Sequence, residues 1–218
     1  MELTVSKEDY LKAIAEAESE EGPVIAATLG RWLAISAPAV TLALRRLRRD
    51  ELAWVNAQGR IQLTKKGRAL ANRMRLRHHL IERMLHEMLG VEWYKVHEEA
   101  ERLEHSISPD VEQRLIEKLG EAGLCPHGNP INKSAAERRK AGLVTLWEAP
   151  AGRPLRIAGM HERDRGLLEY FDRLGLRPAT ALQVERRNYD GTLTLTLETG
   201  PVTLAAAAAQ KIWVAPAA

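Results

Sequence analysis

Ser36-Ala37-Pro38-Ala39-Val40-Thr41-Leu42-Ala43-Leu44-Arg45-Arg46-Leu47-Arg48-Arg49 is the stretch on which the fold turns. Ser36 has the side chain of a helix cap, and proline is tolerated in a first turn because the N–H it lacks would have no partner inside the helix. Val40, Leu44 and Leu47 recur with helical period and are expected to face inward, while Thr41, Arg45 and Arg48 lie outward with Leu42, Arg46 and Arg49 beside them. The pattern then changes to two short strands, Ala53-Trp54-Val55 and Arg60-Ile61-Gln62-Leu63. They flank Asn56-Ala57-Gln58-Gly59, a hairpin turn with glycine where positive φ is needed. Upstream, Ser6 is the expected cap of a first helix carrying Asp9, with Tyr10, Leu11, Ile14 and Ala17 as its apolar stripe and Gly22-Pro23 as its end. A short helix from Val24 to Leu33 follows. Three helices and a hairpin in this order make a winged helix-turn-helix, whose second turn-motif helix enters the major groove of DNA while the wing touches phosphates.

Charge supports that assignment. The whole chain of 218 residues carries a formal net charge of only +3, but positions 45–73 hold nine basic residues against two acidic ones. Positions 74–131 reverse the balance, with seven basic and eleven acidic side chains. A basic face for a polyanion therefore adjoins an acidic region. The side chains expected at DNA are Ser36, Ala37, Pro38, Thr41, Leu42, Arg45, Arg46, Arg49 and Arg60, the arginines mainly neutralising phosphates and Leu42 available to a thymine methyl.

The acidic region is read as helical: Lys65 to about Leu89, Trp93 to Ile107, and Val111 to Leu119. Broad apolar faces on these helices call for a partner subunit. Glu101, Glu104 and His105 stand at i, i+3 and i+4 on one helix face, His97 lies one turn earlier, and His78 and Glu82 form another i, i+4 pair. Such nitrogen and carboxylate donors on packed helices suit divalent cations. Taken singly, each is better explained as a cap or a solvated ion-pair partner; six together favour a metal. Cys125-Pro126-His127-Gly128-Asn129-Pro130 reads as a rigid turn, with Cys125 expected to be structural rather than a ligand. Asn132 to Gly142 lacks apolar periodicity and is expected to be a linker. Beyond it come short alternating strands interrupted by one helix, with Asp190-Gly191 as a hairpin turn, which predicts a small closed barrel of SH3 type. The expected fold class is mainly α with a small β domain. Its parts are a winged helix-turn-helix over 1–73, a helical metal-binding and dimerisation domain over 74–131, a linker over 132–142 and an SH3-like domain over 143–218.

This order, together with Glu8-Asp9-Tyr10-Leu11, Arg77-His78-His79-Leu80-Ile81-Glu82, the run Val96 to His105 and the Cys125 to Pro130 turn, resembles the diphtheria toxin repressor family of metal-dependent transcriptional repressors. The resemblance covers essentially the whole chain, including a C-terminal SH3-like, FeoA-type domain. It implies a primary metal site of Asp9, Glu101, Glu104 and His105. It also implies an ancillary site of His78, Glu82 and His97, completed by a carboxylate from the last domain, aligned with Asp164 and with Glu162 as the neighbouring alternative. The iron-sensing branch has methionine and cysteine at the positions of Asp9 and Glu101; the carboxylates here resemble the manganese-sensing branch, and hard oxygen donors suit Mn²⁺. The small manganese regulators have a glutamate ligand where this chain has Lys12, which argues against a two-metal site of their kind.

The resemblance implies a manganese- or iron-dependent repressor of metal-uptake genes, a homodimer on palindromic double-stranded operator DNA, with Mn²⁺ first, Fe²⁺ second and other divalent transition metals binding in vitro. An iron(II)-dependent repressor of the same family is the nearest alternative. A carboxylate-bridged di-metal enzyme is an alternative of another class, but it needs duplicated Glu-x-x-His pairs, whereas Glu104 and His105 are adjacent, so no enzyme is expected. A winged-helix regulator of a small organic ligand is a third. A single cysteine excludes an intramolecular disulfide, no run reaches the ~18 apolar residues of a membrane span, and the first residues lack an export-signal pattern, so a cytoplasmic protein is expected.

Overall fold

A computed structural model describes residues 5–131 and 133–217. The first helix, α1, spans Val5–Glu21 and buries Leu11, Ala13, Ile14, Ala15 and Ala17. It starts one residue before the expected cap, Ser6, whose side chain lies outside the described residues. Val24–Ile25 forms strand β1 rather than the start of a helix, and pairs antiparallel with β3, Arg60–Leu63. Helix α2 is Ala26–Trp32 and α3 is Ala37–Arg49; the pair is bent by 112°, inside the range of a helix-turn-helix. Ser36 caps α3, its hydroxyl accepting from the Ala39 amide at 3.4 Å. Strand β2, Ala53–Val55, completes a sheet of order β1-β3-β2, and Asn56 Oδ1 fixes the wing by accepting from the amides of Gln58 and Arg60.

Helix α4, Lys65–Arg83, is capped by Thr64 and continues as a π-helical turn over Met84–Met88 before Gly90 reverses the chain at φ 69°. Helix α5 is Val96–Leu103, shorter at both ends than its periodicity predicts. Trp93 accounts for the late start: its indole leaves the helical layer, packs in the core of the last domain and donates to Asp172 Oδ1 at 2.5 Å. Helix α6, Pro109–Leu119, starts on the Ser108 cap. The expected linker contains helix α7, Ala135–Lys140, held by a reciprocal capping box between Ser134 and Glu137.

The last domain comprises β4 (Val144–Thr145), β5 (Pro154–Met160), α8 (Arg165–Arg173), β6 (Ala181–Arg187), β7 (Thr192–Leu197), β8 (Gly200–Ala205), α9 (Ala206–Ala209) and β9 (Ile212–Pro216). Its antiparallel sheet has the order β4-β9-β5-β6-β7-β8, so it is an open six-stranded sheet and not the expected closed barrel. Closure by strand pairing is replaced by helices: Leu168 and Phe171 of α8 and Ala209 of α9 are fully buried against Leu155, Ile157, Val184, Leu193 and Val214. Among the described residues no single helix is long and apolar enough to cross a membrane.

Candidate metal centres and nucleic-acid face

The end of α5 lies against α1, and this packing assembles the first cluster. Asp9 Oδ1 is 2.9 Å from His105 Nε2, and Glu104 Oε1 is 3.6 Å from the same nitrogen. Asp9, Glu104 and His105 can thus offer three ligand atoms within 4.8 Å of one another. Glu101 stays outside that group, at the rim, 3.7 Å from Lys12, 3.6 Å from His97 and 3.7 Å from Arg163. Glu8, which is not among the expected ligands, holds the other face of the ring, with Oε2 3.1 Å from His105 Nδ1. Burial pushes the Asp9 carboxyl up, against the pull of His105. The cluster opens into a cavity of about 410 Å³ walled also by Trp32, Leu33 and Ala34 of the helix-turn-helix and by Arg163.

Lys12 is the unexpected member. Its buried ammonium donates to Glu104 Oε1 at 2.6 Å and lies 3.3 Å from His78 Nδ1. Burial works against its charge, but Glu16, Glu104 and Glu101 together raise its pKa, so the ammonium stays protonated.

The second cluster is fully interior. His78 Nε2 is 3.1 Å from Glu82 Oε1 and 3.0 Å from His97 Nδ1, and His97 Nδ1 is 3.1 Å from the same Glu82 oxygen. His78 Nδ1 lies 2.6 Å from Glu104 Oε2, so one imidazole spans both clusters. The Cys125 turn, expected to be structural only, adds to this group. Cys125 Sγ donates to Glu162 Oε2 at 3.3 Å, and His127 Nδ1 is 3.5 Å from both Glu82 and Glu162. His127 Nε2 lies 2.9 Å from the Trp93 carbonyl, which can only accept. That contact places a proton on Nε2 and turns Nδ1 toward the cluster. His79, Glu82, Cys125 and Glu162 form a further set with ligand atoms within 4.8 Å.

Asp164 is not in this cluster. Its carboxylate caps α8, accepting from the Leu167 amide at 2.9 Å, and the residue is exposed. The carboxylate from the last domain is Glu162, two residues earlier, held by Asn129 Nδ2 at 2.6 Å. Burial drives the Glu82 carboxyl well up and the His78 and His97 imidazoles well down. Burial acts on Glu162 in the same sense as on Glu82, but hydrogen bonding to His127 outweighs it and holds the carboxyl well below its ordinary value. Burial, with Glu162 and Glu82 nearby, raises the Cys125 thiol well above its ordinary value.

A cation fits both clusters. In the interior one, Glu82 Oε2, His97 Nε2 and His79 Nδ1 are buried without a hydrogen-bond partner. Orphaned buried acceptors cost about 1–3 kcal/mol each, and a divalent cation held among them would satisfy the carboxylate oxygen and the imidazole lone pairs. In the first domain, Ser36, Ala37, Pro38, Thr41, Leu42, Arg45, Arg46 and Arg49 of the α3 segment and Arg60 of the wing are all exposed. Thr41 Oγ1 donates to the Ala37 carbonyl at 3.0 Å and Arg49 pairs with Asp50, which leaves Arg45 and Arg46 as the more available cations.

Three family models match successive segments. They are the N-terminal DNA-binding domain of iron-dependent repressors (residues 2–59), their metal-binding and dimerisation domain (64–133) and the FeoA domain (144–216). The iron-dependent repressor IdeR of Mycobacterium tuberculosis strain H37Rv is 35% identical over 198 residues, covering 84% of this chain and 85% of that protein. The diphtheria toxin repressor of Corynebacterium diphtheriae is 38% identical over 130 residues, 60% of this chain and 58% of that protein. Among solved structures, a manganese-dependent transcriptional repressor in complex with manganese superposes with a TM-score of 0.85 at 31% identity, covering 97% of this chain and all of that one. ScaR with bound Zn²⁺ superposes with a TM-score of 0.80 at 30% identity, covering 97% and 99%. The chain therefore belongs to the diphtheria toxin repressor and IdeR family of metal-dependent transcriptional repressors.

Proposed function

We propose that this repressor senses Mn²⁺ through two centres, a primary one of Asp9, Glu101, Glu104 and His105 and an interior one built on His78, Glu82, His97, Cys125, His127 and Glu162. The observation that carries the reading is the 2.9 Å approach of Asp9, on α1 of the DNA-binding domain, to His105, beyond α5 in the dimerisation layer. Bound divalent charge there would offset the mutual repulsion of these carboxylates and tie the two domains together. Asp9 then fixes α1, α1 carries α2 and α3, and the two α3 helices of a homodimer are held at one spacing on a palindromic operator. Linkage makes the coupling reciprocal, so DNA raises metal affinity in turn.

Hard carboxylates dominate the primary centre, which favours Mn²⁺. A second reading, Fe²⁺, is favoured by the Cys125 sulfur in the interior centre. We assign the chain to the cytoplasm and give it no catalytic role, since its donors serve a structural tie. The test is a titration of DNA from the chain's own promoter region at fixed salt with Mn²⁺, Fe²⁺ and Zn²⁺. DNA affinity is expected to rise most with Mn²⁺, and Asp9→Ala to abolish the rise; affinity indifferent to every metal would refute the sensor, and a larger response to Fe²⁺ would replace Mn²⁺ by iron.

A further inference from the structure

We infer that Arg163 is the residue through which the last domain positions the helix-turn-helix, and that its chain neighbour Glu162 couples that contact to the interior metal centre. The inference rests on the metal-sensing reading above and adds a route by which the interior centre reaches DNA.

Glu162 and Arg163 are consecutive in the loop between β5 and α8, and their side chains go opposite ways. Glu162 is 6% exposed and turns inward to Cys125, His127 and Asn129. Arg163 crosses into the first domain. Its Nη1 donates to Glu16 Oε2 of α1 at 3.0 Å, its Nη2 donates to the Trp32 carbonyl at the end of α2 at 3.3 Å, and its guanidinium stands 4.7 Å from the Trp32 ring centroid. Nη1 is also 3.7 Å from Glu101 of α5. One side chain of the last domain therefore meets three helices of the other two domains.

The contact falls where it can act on DNA binding. Trp32 leads into Leu33 and Ala34, and Ala34 has φ 51°, a conformation that alanine adopts only under constraint. This is the turn from which α3 departs, and its residues wall the same cavity as Asp9, Glu104 and His105. A guanidinium over an aromatic ring with two donor directions is a geometry that arginine supplies and lysine does not.

The link back to Glu162 is short and stiff. Consecutive Cα atoms are about 3.8 Å apart. The loop is anchored on one side by the His161 amide donating to the Lys211 carbonyl at 2.9 Å, and on the other by the Asp164 cap of α8. A pull on the Glu162 carboxylate is thereby transmitted to Arg163 rather than absorbed in slack backbone. Arg163 is a positioning residue: it touches Glu101 but stands outside both sets of proposed ligands.

The test is hydrogen exchange on the full chain with and without Mn²⁺, for wild type, Arg163→Ala and Arg163→Lys, with bound manganese counted after equilibrium dialysis. In wild type, Mn²⁺ is expected to slow exchange over residues 26–36 by about tenfold, within the usual range of coupling between sites. Arg163→Ala should bind the same number of ions yet show less than about twofold slowing, and Arg163→Lys, which keeps only the charge, should fall between. A purely structural contact would change exchange equally with and without Mn²⁺. An Mn²⁺ response in both variants equal to that of wild type, or Mn²⁺ bound by wild type without slowing over 26–36, overturns the inference and leaves the sensor standing. No Mn²⁺ bound by any of the three overturns the sensing reading itself.

Discussion

Lys12 places a buried ammonium 2.6 Å from Glu104 and 3.3 Å from His78, between the two candidate centres. A second divalent ion beside the primary one would have to displace that charge. Reversing the charge should create the room: Lys12→Glu is expected to raise bound Mn²⁺ by one ion per protomer in equilibrium dialysis, whereas Lys12→Arg leaves the count unchanged. Equal counts in both variants would show that the charge at this position does not set capacity. Cys125 permits a spectroscopic test, because a thiolate ligand gives Co²⁺ a sulfur-to-metal charge-transfer absorption. Cys125→Ser should abolish that band while leaving Co²⁺ binding at the primary centre; a band that survives would remove sulfur from the interior set. The residue scale is also where the sequence was least legible. Cys125 and Glu162 are 37 positions apart, and only the way the β5 to α8 loop turns brings them within 3.3 Å. Glu162 and Asp164 are two positions apart in a loop, where no periodicity states which side chain faces inward.

Elements with a cap and a clear period were read from sequence nearly as they stand. Helix α3 has its Ser36 cap and its Val40 and Leu47 core face, and the wing has its Gly59 at φ 74°. Helix α7 stands where a linker is expected because its six residues hold too little apolar surface to set a period, although its Ser134 and Glu137 box is written in the chain. Gly67, in the first turn of α4, packs on β2's approach so closely that an added Cβ would lie 1.9 Å from the Leu52 carbonyl oxygen. Gly67→Ala should therefore destabilise the chain by about 1–3 kcal/mol in denaturant titration, as overpacking does; an unchanged midpoint would show that the α4 start yields freely. On α3, Arg45→Ala should weaken DNA binding for all sequences alike and reduce the slope of log affinity against log salt by about 1. A loss confined to one base position would make Arg45 a base reader instead.

At the scale of the whole molecule, three domains meet around interior ionisable groups, and that arrangement fixes the response to pH. Burial lowers His79 to about 4 and raises Glu16 to about 7. A base with a lowered pKa leaves the folded chain with fewer protons than the unfolded one between pH 4 and 6.5, so its contribution to stability rises with pH across that window. For His79 the full span is worth about 3 kcal/mol. Glu16 acts in the opposite sense: the folded chain holds the extra proton between its ordinary value of 4.5 and about 7, so stability falls as pH rises there, by a similar about 3 kcal/mol. His78 and His97 side with His79, and Glu82 with Glu16. Three imidazoles outweigh two carboxylates, so the melting temperature of the metal-free chain should rise modestly between pH 4.5 and 6.5. Cation binding shifts this balance, because ligands must be neutral imidazoles and ionised carboxylates. The imidazoles are already neutral in the folded chain, but Glu82 must give up its proton, so affinity grows as pH rises toward its raised pKa. Stabilisation by a ligand follows its affinity. The gain in melting temperature at fixed Mn²⁺ should thus increase steadily from pH 5 to pH 8, read by paired thermal melts with and without the ion. A gain that is flat with pH would mean that Glu82 is already ionised in the folded chain, and that the interior centre binds without releasing a proton.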